Sequence, residues 1–452
     1  MENIQALDSN TVNKRRWFIL NFSAFGAILA YDQLLLPMFH IGSFPYKISY
    51  LLVGLWFFAL TIDAQKVFHS VRAQTEFTRF SLLVVGIMLS SIAGEIFTAV
   101  LFGVNELSET FKSLTIYILM ILSFGLGLSS IKFSPKHLVW VLYIAVFLNF
   151  LFIFFKSNLP SFLIDLYYPP MVLESWIDLG VTDVNALLEL ARPRGLFPNP
   201  NGSAFMVNII SVFLYVCIRK RLLEIPSIPI SVGIMFFPML VSILLASRGE
   251  MISSLILSIL HYKLLFKHVS VRTKLISLTF FVAVLISVGI YALQKFDEAG
   301  SISNSIRRIS SILEVLNQEK AESTYEARNQ GISRPLLMLD NAFNRFIYSP
   351  IFGSGYSSGF AYPFNHPTQN YHNDWFRIAL TSGMIGLFLT LWIIKKYCVP
   401  LGYILILPFI LPGLVNTFLL NIPAVMFYFF MVGYLYRKLE IDKFDTLRQK
   451  FL

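Results

Sequence analysis

The sequence has 452 residues, of which 56% are apolar and only 14% are charged. Soluble domains carry about 25% charged residues, so this composition excludes several water-facing domains and predicts a polytopic membrane protein. Nucleic-acid binding is not expected despite the net charge of +10, because the basic residues are spread among apolar stretches and form no patch that follows phosphates. Cys217 and Cys398 lack a CxxC neighbour, so neither a disulfide framework nor a cysteine metal site is expected.

The apolar runs predict an all-α fold with about twelve transmembrane helices, since about 20 apolar residues cross the hydrocarbon core. The candidate spans are Trp17–Phe39, Lys47–Ala64, Arg79–Gly103, Phe111–Ile131, His137–Phe155, Ala204–Ile218, Pro226–Ala246, Met251–Phe266, Leu275–Leu293, Ile378–Ile394, Pro400–Phe418 and Leu420–Tyr436. Two long loops, 156–203 and 294–377, divide them into spans one to five (17–155), six to nine (204–293) and ten to twelve (378–436). The termini are 1–16 and 437–452, and the first span is expected to be retained rather than cleaved.

Charge predicts the orientation of these spans. With the N-terminus inside, 22 of the 36 Lys and Arg residues fall on inner segments, and every short inner loop is basic. This is the positive-inside pattern, which predicts that both termini are cytoplasmic. The two long loops then lie outside, and the larger one precedes the tenth helix. The sequence contains no internal repeat of the kind expected for an inverted-repeat transporter.

The end of the first long loop is unusual, because Arg192 and Arg194 lie beside a segment rich in proline and glycine. Asn201 or Ser203 is expected to cap the helix that follows. Two interpretations are open: a rigid turn with snorkelling arginines, or a loop that faces a ligand.

A second unusual place is the tight outer turn at Ala246–Glu250. An arginine near bilayer depth is costly unless it is paired or faces water, and Arg248 is the turn's single basic residue. Arg248 either pairs locally with Glu250 or binds an anion, because guanidinium holds phosphate oxygens in a bidentate fork.

The third place lies just before the tenth span, where His372 is followed by Asn373 and Asp374. A neutral imidazole accepts a proton from a hydroxyl near pH 7, so His372 is either a catalytic base or an interfacial residue. Arg328 and Arg345 add charge to the same loop, although each alone is typical of a surface.

Inside the predicted spans, charges are rare: Asp32, Asp63 and Glu95. Glu95 is the deepest and is expected to face protein or water, either as a structural hydrogen-bond partner or in transport. The sequence contains no HExxH, no GxxxxGK[ST] and no carboxylate cluster with metal spacing, so no metal is invoked.

At these residues the sequence resembles the O-antigen polymerase and O-antigen ligase superfamily of bacterial envelopes. His372-Asn373, followed after nine residues by Gly383-x-x-Gly386, is similar to the family pattern H-N-x9-G-x-x-G. Three further elements are similar to family elements: the segment from Arg194 to Asn201 (R-G-x-F-x-N-P-N), Ser247-Arg248-Gly249 and Gly353-Ser-Gly355. Arg328 stands where members often place an arginine, and a single residue carries that similarity.

The resemblance implies a metal-independent, inverting glycosyltransferase of the GT-C type in the bacterial inner membrane, with no cofactor. Its donor would be a glycan linked to undecaprenyl diphosphate at the periplasmic leaflet, which makes the outer loops periplasmic. His372 is then expected to be the general base, and Arg248, Arg328 and Arg194 to bind the diphosphate. Expected supporting residues are Asn373, Asn201, Arg192 and Arg345.

The acceptor is left open. A polymerase, the favoured interpretation, would join lipid-linked repeat units, while a ligase would move the chain onto lipid A-core or protein. A chain-length regulator is a possible partner of a polymerase. A flippase is the alternative from another class, but it has no need of the outer arginine–histidine set.

Overall fold

The structure is a computed structural model that describes part of the chain. The residues described are 21–26, 38–41, 44–47, 54–58, 67–68, 70–102, 107–130, 133–155, 200–225, 227–244, 248–267, 269–279, 282–283, 286–287, 346–347, 349–355, 374–410, 419 and 421–451. Within them the chain is helical, as predicted, apart from one short hairpin.

The helices are numbered in chain order. They are α1 (Val71–Phe102), α2 (Leu107–Ser129), α3 (Pro135–Phe155), α4 (Pro200–Arg219), α5 (Ile228–Leu244), α6 (Arg248–Leu265), α7 (Asp374–Ile393), α8 (Leu407–Ile410) and α9 (Ile422–Phe451). A π-helical turn (Ile394–Cys398) extends α7, and a 3-10 turn (Tyr403–Ile406) leads into α8.

Within the described residues, three stretches are long and apolar enough to cross a membrane: Val71–Leu101, Gly202–Arg219 and Asp374–Cys398. At 1.5 Å per residue, the length of each stretch exceeds or approaches the thickness of the hydrocarbon core, which is roughly 30 Å. The structure therefore supports a helical membrane protein, while the count of twelve spans stays a prediction.

Several predicted boundaries differ from the observed ones. Strand β1 (Met38–Ile41) pairs antiparallel with β2 (Phe44–Lys47), so the first predicted span does not continue as helix to Phe39. Pro37 immediately before β1 lacks the N–H that a continuing helix needs. Helix α7 begins four residues before Ile378, since Asp374 in its first turn complements the positive end of the helix dipole. Helix α9 runs past the predicted end at Tyr436.

The chain divides into two compact units. The first combines Met1–Asp32, Leu36–Trp140 and Asn344–Leu452, and so contains α1, α2, α7, α8 and α9. The second combines Gln33–Leu35 and Val141–Phe343, and contains α4, α5 and α6.

Close backbone contact between α2 and α9 forms the centre of the first unit. A Cβ added at Gly127 would lie 2.2 Å from the carbonyl oxygen of Phe430, and one added at Gly433 would lie 2.3 Å from that of Phe124. Small residues allow the two backbones to approach this closely. Inside a membrane the hydrophobic effect does not drive helices together, so van der Waals packing of this kind stabilises their association. The ring of Phe124 also stacks on Phe80 of α1, 4.0 Å between centroids, so the same contact ties in a third helix.

One end of the first unit carries a cluster of charges. Glu76 near the start of α1 binds Lys396 at 3.0 Å and Arg79 at 2.8 Å. Arg72 of α1 pairs with Glu440 of α9. All these basic residues were assigned to one side of the membrane by the positive-inside pattern, and the structure brings them together at one end of the helix bundle.

In the second unit, α4 is nearly all buried and packs with α5 and α6. Pro238 lies inside α5 without ending it, as membrane helices tolerate. Ser258 of α6 donates to the carbonyl oxygen of Met235 of α5 at 2.6 Å, so a buried polar bond joins these neighbours.

Candidate functional site

Helix α7 is broken at Gly383, whose φ of 61° and ψ of −161° are non-helical. Only glycine adopts this conformation without serious strain, because a Cβ would clash with the backbone. The break separates two half-helices, 374–382 and 384–393. It leaves carbonyl oxygens of the first half and N–H groups of the second without their usual helical partners.

Residues 349–355, the break loop, supply those partners. Four backbone hydrogen bonds join the loop to the two half-helices. They run from Ser354 to Leu380 (2.7 Å), Gly355 to Thr381 (3.2 Å), Met384 to Pro350 (2.8 Å) and Ile385 to Ile351 (3.3 Å), donor first. The break loop thus fills the gap in α7 and satisfies both of its sides. The Gly353-x-Gly355 and Gly383-x-x-Gly386 motifs therefore meet at one place.

Helix α1 presents small polar side chains to this junction. Ser90 donates to the carbonyl oxygen of Ser382 at 2.8 Å, and the hydroxyl of Ser91 lies 2.6 Å from that of Ser382. Thr98 donates to the carbonyl oxygen of Ser354 at 3.2 Å. These three side chains, Ser90, Ser91 and Thr98, form a polar strip that hydrogen-bonds both to the break in α7 and to the break loop.

Glu95 of α1 is fully buried and lies against the backbone of the break loop. A Cβ added at Gly355 would come 2.3 Å from the carboxylate Oε2 of Glu95. Gly355 has a φ of +65°, so both its conformation and its surroundings exclude a side chain. Glu95 faces protein, which is one of the two surroundings that the sequence predicted, and its neighbour belongs to a motif that carries the family resemblance.

Asp374, the first residue of α7, is buried, and both its carboxylate oxygens accept the N–H of Leu419 at 3.2 Å. Trp375 beside it donates its indole N–H to the carbonyl oxygen of Phe409 at 2.8 Å. These two bonds fix the start of α7 immediately after the predicted catalytic histidine.

His372 and Asn373 themselves lie outside the described residues, in the segment 356–373. Both ends of that segment are described: Gly355 is bonded to Thr381, and Asp374 is bonded to Leu419. Thr381 lies seven residues along α7 from Asp374, about 10 Å at 1.5 Å per residue. The described residues on either side of the segment that carries His372 are therefore both held along the first half-helix of α7.

Most of the predicted basic ligands also lie outside the described residues; they are Arg192, Arg194, Arg328 and Arg345. Arg248 is the first residue of α6, so it begins a helix rather than sitting in the turn before one. Asn201 is the second residue of α4, which begins at Pro200. The expectation that Asn201 or Ser203 caps this helix is wrong, because proline occupies the first helical position, where its missing N–H costs nothing.

Glu250, the third residue of α6, is buried and bound by Asn208 of α4. The Asn208 side-chain amide donates to the Glu250 carboxylate at 2.6 Å and to its backbone carbonyl at 3.1 Å. Further along the same helix pair, the Nε2 atom of His261 lies 3.0 Å from the Ser211 hydroxyl. Polar contacts therefore join α4 to α6 at two levels.

Sequence reasoning missed Asn208 and the polar strip of α1. The signal for the strip was present, since Ser90, Ser91, Gly94, Glu95 and Thr98 recur at helical spacing within an apolar run. Asn208 is a lone amide in an apolar span, and its partner is 42 residues away, so no local pattern identifies it. Among the described residues, no group of three or more His, Cys, Asp or Glu is placed to hold a metal.

Comparison with known families adds to this geometry. Residues 233–391 match the family model described as O-Antigen ligase. The match covers about a third of the chain, including Arg248, Arg328, His372 and both glycine motifs. It supports the similarity to the O-antigen polymerase and ligase superfamily and, in general terms, an enzyme role. No curated protein matches the chain.

Proposed function

We propose that the protein is an O-antigen polymerase, which joins undecaprenyl-diphosphate-linked repeat units at the periplasmic face of the bacterial inner membrane. The observation that carries this proposal is the junction at the break in α7. There four backbone hydrogen bonds join the break loop, which carries Gly353-x-Gly355, to the two half-helices on either side of Gly383. The break loop directly precedes the segment with His372 in the sequence. The family match over residues 233–391 covers the same region.

The proposed reaction is an inverting glycosyl transfer. A hydroxyl oxygen of the acceptor sugar attacks the anomeric carbon of the donor glycan, and His372 takes the hydroxyl proton. The bond from the anomeric carbon to the diphosphate oxygen breaks, and undecaprenyl diphosphate leaves with the electron pair. Arg248, Arg328 and Arg194 bind this leaving group and stabilise its developing charge, which other glycosyltransferases achieve with a divalent ion.

The charge cluster on α1 supports the proposed orientation. Glu76, in the cluster, and Glu95, beside the break loop, are nineteen residues apart, which is about 28 Å along a helix. That distance is close to the roughly 30 Å hydrocarbon core. The positive-inside pattern predicts that the charge cluster around Glu76 lies at the cytoplasmic interface. The break in α7 and the break loop then lie at the opposite, periplasmic interface.

A ligase is the second candidate, because the matching family is described as O-Antigen ligase. The chemistry at His372 would be the same, with lipid A-core or a protein as acceptor. A flippase is disfavoured by the break in α7. In transporters with broken helices, unwound carbonyls coordinate ions, whereas here those of Leu380, Thr381 and Ser382 already accept hydrogen bonds.

Deletion of the gene in its host, followed by gel analysis of the lipopolysaccharide, tests the proposal. A polymerase is expected to leave core bands that carry one repeat unit, because ligation continues without polymerisation. Loss of every repeat unit from the core, with lipid-linked polymer accumulating, would identify a ligase instead. An unchanged gel pattern would contradict both.

A further inference from the structure

The contact between Asn208 and Glu250 joins α4 to the first turn of α6, which begins with the proposed diphosphate ligand Arg248. Arg248 and Glu250 belong to the same first turn of α6. Asn208 lies eight residues beyond Pro200, the first residue of α4, and the segment ending there contains Arg194. The single amide of Asn208 holds the carboxylate and the backbone carbonyl of Glu250 together.

Stability alone does not account for this pair. Glu250 is 1% exposed, and its second carboxylate oxygen, like the side-chain oxygen of Asn208, has no hydrogen-bond partner in the described part of the chain. Incompletely paired polar groups in a membrane protein interior are costly, and apolar residues of similar volume usually serve stability as well or better. The pair therefore indicates a requirement other than packing.

We propose that Asn208 and Glu250 form a positioning pair for Arg248. The two hydrogen bonds from Asn208 to Glu250 fix the backbone of the first turn of α6. They therefore fix the backbone position from which the Arg248 side chain extends. Bidentate binding of a diphosphate depends on such placement, because a guanidinium fork recognises phosphate oxygens in a fixed geometry. This inference rests on the proposed function, since it takes polyprenyl diphosphate as the ligand of Arg248.

The test measures binding of undecaprenyl diphosphate, without sugar, to the purified full-length protein. Glu250→Leu and Asn208→Leu are each expected to weaken binding about tenfold or more. The double variant, Asn208→Leu with Glu250→Leu, leaves neither partner unpaired and is expected to weaken binding equally without lowering the unfolding temperature. Glu250→Gln is expected to bind within about twofold of wild type, because its amide oxygen still accepts from Asn208. The fold-change in Kd at unchanged thermal stability distinguishes positioning from a merely structural role.

Two controls separate this inference from alternatives. Ser258→Ala removes another buried hydrogen bond of α6, to Met235, without touching the first turn, and is expected to leave binding unchanged. In an Arg248→Ala background, Glu250→Leu is expected to add no further loss, since its effect passes through Arg248.

Wild-type binding by Glu250→Leu, or a full additional loss on top of Arg248→Ala, would overturn the positioning pair while leaving the proposed function intact. Absence of undecaprenyl diphosphate binding by the wild-type protein would instead overturn the proposed function and this inference together.

Discussion

Gly353 and Gly383 lie against each other, although thirty residues separate them in the sequence. A Cβ added at Gly353 would be 2.6 Å from the Gly383 nitrogen, and one added at Gly383 would be 2.5 Å from the Gly353 nitrogen. Both residues have positive φ, 78° and 61°. Two motifs that the sequence presents as separate are therefore one structural unit, in which each glycine makes room for the other.

We expect Gly353→Ala and Gly383→Ala each to lower the free energy of unfolding by at least about 1–3 kcal/mol, since each adds backbone strain to a direct clash. Thermal unfolding in detergent measures this. Gly233→Ala in α5 is the matched control, because an added Cβ there meets nothing within 4 Å. Helix propensity alone predicts that this control is neutral or slightly stabilised. If all three variants were equally stable, the interlocked junction would be wrong.

A double-mutant cycle tests the contact between Glu95 and Gly355. Gly355→Ala is expected to be more destabilising in the wild-type background than in Glu95→Ala. The truncation removes the carboxylate oxygen 2.3 Å from the new Cβ, although the Cβ and Cα atoms of residue 95, at 2.7 and 2.8 Å, remain. The expected coupling is about 0.5–3 kcal/mol. The control cycle pairs Gly355→Ala with Ile96→Ala, since Ile96 is next along α1 but 51% exposed. Additive effects in both cycles would contradict the contact.

The break in α7 shows which features of the fold could be predicted from the sequence and which could not. Apolar run length located the region of α7, and the spacing of Gly383 and Gly386 carried the family resemblance. Yet an apolar run reports only burial, so the span was predicted to run uninterrupted through Gly383. The partners of the break are far along the chain, as with Ser90 and Ser382, 292 residues apart, and such pairs follow from packing alone.

Charge was more informative than helix boundaries. Counting Lys and Arg by side grouped residues, such as Arg79 and Lys396, that the structure then brings to the same carboxylate, Glu76. The local pairing of Arg248 with Glu250 was one of two open interpretations. The structure shows the Glu250 carboxylate bound by Asn208, which the tertiary packing of α4 against α6 brings into reach. The side chain of Arg248 lies outside what the structure describes, so both interpretations of Arg248 stay predictions.

The buried carboxylate of Asp374 is expected to matter through the start of α7. Asp374→Ala would leave the buried N–H of Leu419 without its acceptor, at a cost of about 1–3 kcal/mol. Asp374→Asn keeps one oxygen acceptor and should cost less. Because His372 is two residues away, transferase activity should fall in the same order, Ala below Asn. Equal activity and stability of the two variants would argue against this role.

The proposed orientation is testable by cysteine labelling. Cys217 and Cys398 are buried, so the background from native thiols should be low. We expect Ser303→Cys, in the large predicted outer loop, to react with a membrane-impermeant maleimide in intact spheroplasts. Arg272→Cys, in a predicted inner loop, should react only after the membrane is permeabilised. The reverse pattern would place the proposed active site in the cytoplasm and contradict the proposed donor.

The roles of His372 and Arg248 lead to the most direct test of the chemistry. General base catalysis contributes roughly 10²–10⁴-fold, so His372→Ala should reduce turnover by about that factor in a purified assay. His366→Ala is the matched control, because it removes another histidine from the same predicted loop without a proposed role. Arg248→Lys should also be impaired, since an ammonium keeps the charge but lacks the bidentate fork. Wild-type turnover by His372→Ala would eliminate the proposed base, and wild-type turnover by Arg248→Lys would show that the diphosphate needs only a positive charge at that position.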